Sequence, residues 1–97
     1  MQPEITVFYS AICGLCTKTI EFLRSQGLSF TAKAVVWDEA TDAFIDTANS
    51  REMFKRCGKT VDFVPQIFIG EAHIAGWRKL EPMIADGSFA ALLEGQA

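Results

Sequence analysis

Long apolar runs are missing from this 97-residue chain, and with them any stretch of the ~20 residues that a membrane-spanning helix needs. An excess of positive charge is missing too. Nine lysines and arginines against twelve acidic residues leave a formal net charge of −3, which provides no basic field to hold a phosphate backbone. Membrane and nucleic acid are therefore not expected as partners. Cysteine is scarce at three, an odd number that builds no disulfide framework, and there is a single histidine. No internal repeat, low-complexity tract or linker interrupts the chain.

What is present is core material. Hydrophobic residues make up 49% of the chain and Phe occurs eight times, enough to fill one core without disulfide or metal staples. The expectation is one domain over residues 1–97, with its cysteines free for chemistry. A strand begins within the first residues and no apolar run reaches the length of a signal core, so the expected setting is a reducing cytosol, a cytoplasmic location.

Cys13-Gly14-Leu15-Cys16 is the stretch that carries chemistry. It follows the β-branched and aromatic run Ile5 to Tyr9, a predicted strand, and opens a helix over Cys13 to Gln26 marked by the stripe Cys16, Ile20 and Leu23, ended by Gly27. The first amides of a helix lack internal partners and carry partial positive charge, which favours a thiolate placed there. Cys13 is therefore expected to be the nucleophile. Cys16, one turn further in, is shielded and placed to attack a mixed disulfide on Cys13, the role of a resolving thiol.

Phe30, Val35 and Val36 predict a second strand within Ser29 to Trp37, making a β-α-β unit that favours parallel pairing. Asp38 is expected to cap a long helix from Glu39 to Cys57, with Phe44, Ala48 and Phe54 on one side and Gly58 as its stop. Gln66 to Ile69 and His73 to Ala75, joined through Gly70-Glu71-Ala72, read as an antiparallel hairpin. A final helical region breaks at Asp86-Gly87. The predicted order is β-α-β-α-β-β-α.

That order, with Cys13-Gly14-Leu15-Cys16 after strand one, Val64-Pro65 before strand three and Gly76 after strand four, resembles the glutaredoxin branch of the thioredoxin fold. The resemblance spans essentially the whole chain. It implies an α/β architecture: a four-stranded mixed sheet in order 2-1-3-4 flanked by helices, with a cis peptide before Pro65. It also implies an enzyme that reduces protein disulfides or glutathione mixed disulfides without a bound cofactor, with glutathione as co-substrate. On that reading Val64 and Pro65 dock substrate through main chain, the Gly76 and Trp77 amides donate to the γ-glutamyl carboxylate, Lys59, Lys55 or Arg56 reaches the glycine carboxylate, and Arg78 adds a cationic contact.

Two departures bear on the reductant. Ser10 stands where glutathione-using members carry a basic residue, and Trp77, Arg78 and Lys79 follow Gly76 where the usual pattern is a small residue and then acids. Ala75-Gly76-Trp77-Arg78 also resembles glutaredoxin-like redoxins that serve ribonucleotide reductase and are recharged by thioredoxin reductase. A third alternative keeps Cys13 as a ligand of a [2Fe–2S] cluster shared with glutathione, because Gly14 replaces the proline of non-cluster members; Cys16 argues against a pure cluster carrier. A zinc site is disfavoured. Its remaining ligands would be Cys57, forty-one residues after Cys16, and His73, sixteen further on, which fits no compact zinc motif. Cys57 is expected as a partly buried small hydrophobe, His73 as a solvent-side hairpin residue, and the basic run Arg51, Lys55, Arg56 and Lys59 as a complement to a helix C-terminus.

Overall fold

The computed structural model describes residues 3–95. Its frame is β1 (Ile5–Tyr9), whose first four residues are all buried because helices cover both faces of the sheet. Alternate side chains of a strand point to opposite faces, so β1 feeds two cores. Ile5 and Val7 join Ile67 and Ile69, Leu23, Leu80 and Phe89 on one face; Phe8 joins Phe68, Val35, Phe44, Met53 and Val61 on the other. Phe8 and Phe68 meet edge to face with ring centroids 5.9 Å apart.

β2 (Thr31–Ala34) runs parallel to β1, with Thr6 opposite Thr31. On the other side β5 (Gln66–Ile69) runs antiparallel, with Val7 opposite Ile67, and β6 (Ala72–Ala75) pairs antiparallel with β5. The order β2-β1-β5-β6 is the one the resemblance implies, the thioredoxin-like fold of the glutaredoxins. Between β5 and β6, Gly70 takes the positive φ (59°) that a two-residue hairpin turn needs.

α1 (Gly14–Ser25) lies within one residue of its predicted span and buries Cys16, Thr19 and Leu23 at helical spacing. Gly27, at φ 67°, turns the chain out of it. The final helical region splits where expected into α3 (Trp77–Ala85) and α4 (Ser88–Gly95), with Asp86 and Gly87 between them.

The long helix predicted over Glu39 to Cys57 is corrected. Its first half is a small ribbon, β3 (Trp37–Asp38) paired with β4 (Ala43–Phe44), and α2 spans only Ala48–Cys57. The reason is local side-chain chemistry. Asp38 does not cap a helix; its carboxylate accepts the Ala40 amide (3.0 Å) and the Thr41 hydroxyl (3.1 Å), while Asp42 takes φ 55°. Trp37 then stacks edge-on against Phe44 at 4.9 Å. The helix start moves to Thr47, where a reciprocal capping box with Ser50 satisfies both backbone ends (2.9 and 3.1 Å). The second strand is likewise shorter than the predicted Ser29 to Trp37.

Lys33 on β2 reaches Glu52 on α2 at 2.6 Å, and Arg56 approaches the same carboxylate at 3.4 Å. The hydrogen bond from Lys33 holds the Glu52 pKa below the usual carboxylate value, ahead of the smaller contribution of Arg56. A depressed folded-state pKa contributes stability above the unfolded value, and that contribution is lost as pH falls through the folded one. Denaturant unfolding from pH 6 to pH 3 should therefore show stability falling with acidification, and Glu52→Gln should flatten part of that slope.

Candidate functional site

The end of β1 delivers the chain to the helix start through a tight loop in which the Cys13 amide donates to the Ser10 carbonyl at 3.1 Å. Cys13 is the N-cap of α1, and its sulfur accepts the Cys16 backbone N–H at 3.1 Å. A sulfur thus occupies the cap position usually filled by a hydroxyl or carboxylate oxygen, facing the positive end of the helix dipole. The Cys13 thiol also points its proton at the Val64 carbonyl, 3.6 Å away.

Cys16 has the opposite environment. It is 1% exposed, and burial, reinforced by the thiol hydrogen bond with Cys13, pushes its pKa up to about 12. The two sulfurs are therefore inequivalent: one half-buried on a helix cap, the other sealed beneath it.

Val64 enters from the opposite side on the loop between α2 and β5. The Val64–Pro65 bond is cis, as the resemblance implies, and Pro65 is buried where β5 begins. Beside it a groove of about 330 Å³ runs between Leu15, Phe63, Val64, Trp77, Arg78 and Lys79. Gly76 forms part of its wall at φ 91°; a Cβ there would lie 3.2 Å from the Phe63 ring. That backbone conformation is one that side-chain-bearing residues scarcely adopt. Trp77 is half-buried, lining the groove while packing against the core below.

The residues singled out from the sequence are not all brought together. Cys13, Cys16 and Val64 converge, and Val64, Gly76, Trp77 and Arg78 share the groove, with Pro65 directly behind Val64. Lys59, two residues past Cys57, does not line this groove; its charge lowers the pKa of both Cys57 and His73. Arg56 is engaged structurally, over the Phe68 ring at 4.4 Å and against Glu52.

Sequence reasoning passed over Phe63, 44% exposed in the groove wall, and Ile12, 87% exposed directly before Cys13. It also passed over Gln66. This fully buried amide donates to the Phe63 carbonyl at 2.9 Å and pairs with His73 Nε2 at 2.7 Å. His73 is exposed, as expected of a hairpin residue, yet its ring stacks on Phe68 at 4.6 Å. Cys57 is half-buried, as expected, and its pKa is raised by that burial. Among the described residues no group of three or more His, Cys, Asp and Glu side chains is placed to hold a metal ion. Nor is any described helix long and apolar enough to cross a membrane.

Comparison with known proteins points one way. The glutaredoxin family model matches residues 5–74. Glutaredoxin 3 of Escherichia coli strain K12 is 31% identical over 93 residues, which cover 96% of this chain and 100% of that protein. A glutaredoxin of Pseudomonas aeruginosa is 29% identical, covering 95% of this chain and 98% of its own length. Among solved structures, a buckwheat glutaredoxin–glutathione complex superposes with a TM-score of 0.71 at 22% identity, covering 98% of this chain and 79% of that one.

Proposed function

The chain belongs to the glutaredoxin family and is a thiol–disulfide oxidoreductase; on that premise we propose that Cys13 is its nucleophile, Cys16 its resolving thiol and glutathione its reductant. The observation that carries the role assignment is the inequivalence of the two sulfurs. Cys13 is capped by an amide and reachable, whereas Cys16 is buried and held protonated.

Reduction of the substrate balances as two exchanges. The Cys13 thiolate attacks a substrate disulfide, forming a mixed disulfide and releasing one substrate thiolate. Cys16, losing its proton, then attacks the Cys13 sulfur, closing the Cys13–Cys16 disulfide and expelling the second thiolate. Two glutathione molecules reopen that bond and leave as glutathione disulfide. One feature of the site aids the second exchange. Burial is the main cause that holds the Cys16 pKa up; the hydrogen bond and charge of Cys13 add to it, and a mixed disulfide on Cys13 removes that charge. Cys16 therefore becomes more acidic at the step that uses it.

The groove supplies the docking surface. An extended substrate pairs with the Val64 main chain, its apolar parts against Leu15, Phe63 and Trp77, and its carboxylates toward Arg78, Lys79 and the first turn of α3, which has no side-chain cap; the Gly76 amide itself donates to the Ile74 carbonyl at 3.2 Å. Glutathione carries two carboxylates, and so does an acidic peptide. The departures at Ser10 and at Arg78-Lys79 alter how an α-amino group is met, and they keep a flavoprotein reductase such as thioredoxin reductase as the second reading. The whole chain is proposed to act as one such domain in a reducing cytosol, its protein partners being disulfide-bearing proteins.

The test is NADPH consumption by the oxidised protein with glutathione plus glutathione reductase, and separately with thioredoxin reductase alone. Turnover in the first system is the expected result; turnover only in the second moves the protein to the other redoxin branch. A [2Fe–2S] role is tested by anaerobic reconstitution, where a colourless monomer is expected. Trp77→Ala should lower kcat/KM for glutathione mixed disulfides about tenfold through loss of the groove wall, while costing less in folding stability than a core truncation of about 2–5 kcal/mol. Steady-state kinetics and chemical denaturation on the same preparation check the pair of effects.

A further inference from the structure

Gln66 begins β5 directly after Pro65, and Phe68 and His73 are cross-strand partners in the hairpin that follows. The Gln66 amide is fully buried, and its two ends have different tasks. Its Nε2 donates to the Phe63 carbonyl at 2.9 Å, so its Oε1 faces His73 Nε2, 2.7 Å away. An oxygen accepts only from a donor, which makes Nε2 the protonated nitrogen of the His73 ring. The Cys57 thiol lies 3.8 Å from the same oxygen, and stacking on Phe68 at 4.6 Å fixes the plane of the imidazole. Partial burial of the ring, then the charge of Lys59, lower the His73 pKa. A continuous line of hydrogen bonds thus runs from His73 through Gln66 to the Phe63 carbonyl, one residue from Val64, whose carbonyl faces the Cys13 sulfur at 3.6 Å.

Resting on the oxidoreductase reading above, we propose that Gln66, oriented by the Nε2–H of His73, is a positioning residue that fixes the Phe63-Val64 backbone for substrate docking beside Cys13. Neither residue touches the reacting sulfurs. Their effect falls on the docking surface, the main chain of Val64 and the ring of Phe63 in the groove wall, and so on KM more than on the nucleophile.

The test compares Gln66→Met, which keeps the length of the side chain but neither hydrogen bond, with His73→Phe, which keeps the ring stacked on Phe68 but lacks the donor. The substrate is a synthetic peptide disulfide. KM should rise about tenfold in Gln66→Met and severalfold in His73→Phe, with kcat and the rate of Cys13 alkylation by iodoacetamide within about twofold of wild type. His73 is exposed, so its variant carries the comparison if Gln66→Met fails to fold. Long-range ¹H–¹⁵N spectra of the wild type should show the Nε2–H tautomer. Wild-type KM in the folded variants, alkylation that slows in step with turnover, or an Nδ1–H tautomer overturns the proposal. A wild-type protein inert toward the peptide contradicts the oxidoreductase reading instead, and the tautomer then decides the positioning role by itself.

Discussion

Replacing Cys13 by serine is expected to abolish thiol–disulfide exchange with every substrate, a loss of at least ~10³-fold, because a serine hydroxyl is not ionised at neutral pH and cannot form the mixed disulfide. The fold should survive, since a serine oxygen at the same cap position accepts the Cys16 amide as the sulfur does. Replacing Cys16 by serine should act differently. The first exchange needs only Cys13, so reduction of glutathione mixed disulfides should persist, whereas reduction of protein disulfides, which needs an internal second attack, should fall to background. Side-by-side assays of the two variants on a glutathionylated peptide and on a protein disulfide read both effects. Equal residual activity in the two variants contradicts the assignment of roles.

Leu80→Ala is expected to destabilise the fold by about 2–5 kcal/mol, the range for truncating a fully buried leucine whose surroundings relax only in part. Leu80 is 0% exposed and joins Leu23 of α1, Phe89 of α4 and the sheet residues Ile67 and Ile69 in one cluster. The same helix carries Trp77, Arg78 and Lys79 to the groove. The loss should therefore appear first in stability and then, near the melting transition, in activity, with a lower urea midpoint and an unchanged slope. A change under 1 kcal/mol would mean that α3 is not anchored through this side chain.

The parts of the site legible in the sequence are those where spacing alone dictates geometry. Two cysteines three apart at a strand-to-helix junction share one helical turn, and the helix expected over Cys13 to Gln26 from the stripe Cys16, Ile20 and Leu23 is Gly14–Ser25, with Cys13 as its cap. The hairpin was readable because Gly70 sits between two short runs that carry Ile67, Phe68 and Ile69 on one side and Ile74 on the other. The segment from Trp37 to Thr47 was not, since Phe44, Ala48 and Phe54 keep an almost helical spacing while Asp38 and Thr47 use their side chains to turn and recap the backbone. Spacing cannot reveal which of two competing hydrogen bonds a carboxylate makes. Gln66 escaped notice for a related reason: its importance lies in partners three and seven residues away across a turn and a strand pair, Phe63 and His73. Lys59 shows the converse. It does not line the groove, and its charge lowers the pKa of both Cys57 and His73.

The division of labour between the two sulfurs is tested most directly by limiting alkylation of the reduced protein, using less iodoacetamide than thiol at pH 7, followed by peptide mapping. A capped, reachable sulfur at residue 13 above a sealed one whose pKa is pushed up to about 12 predicts label on Cys13 in large excess, with Cys16 modified only after unfolding. Label shared evenly between the two, or found first on Cys16, contradicts the account.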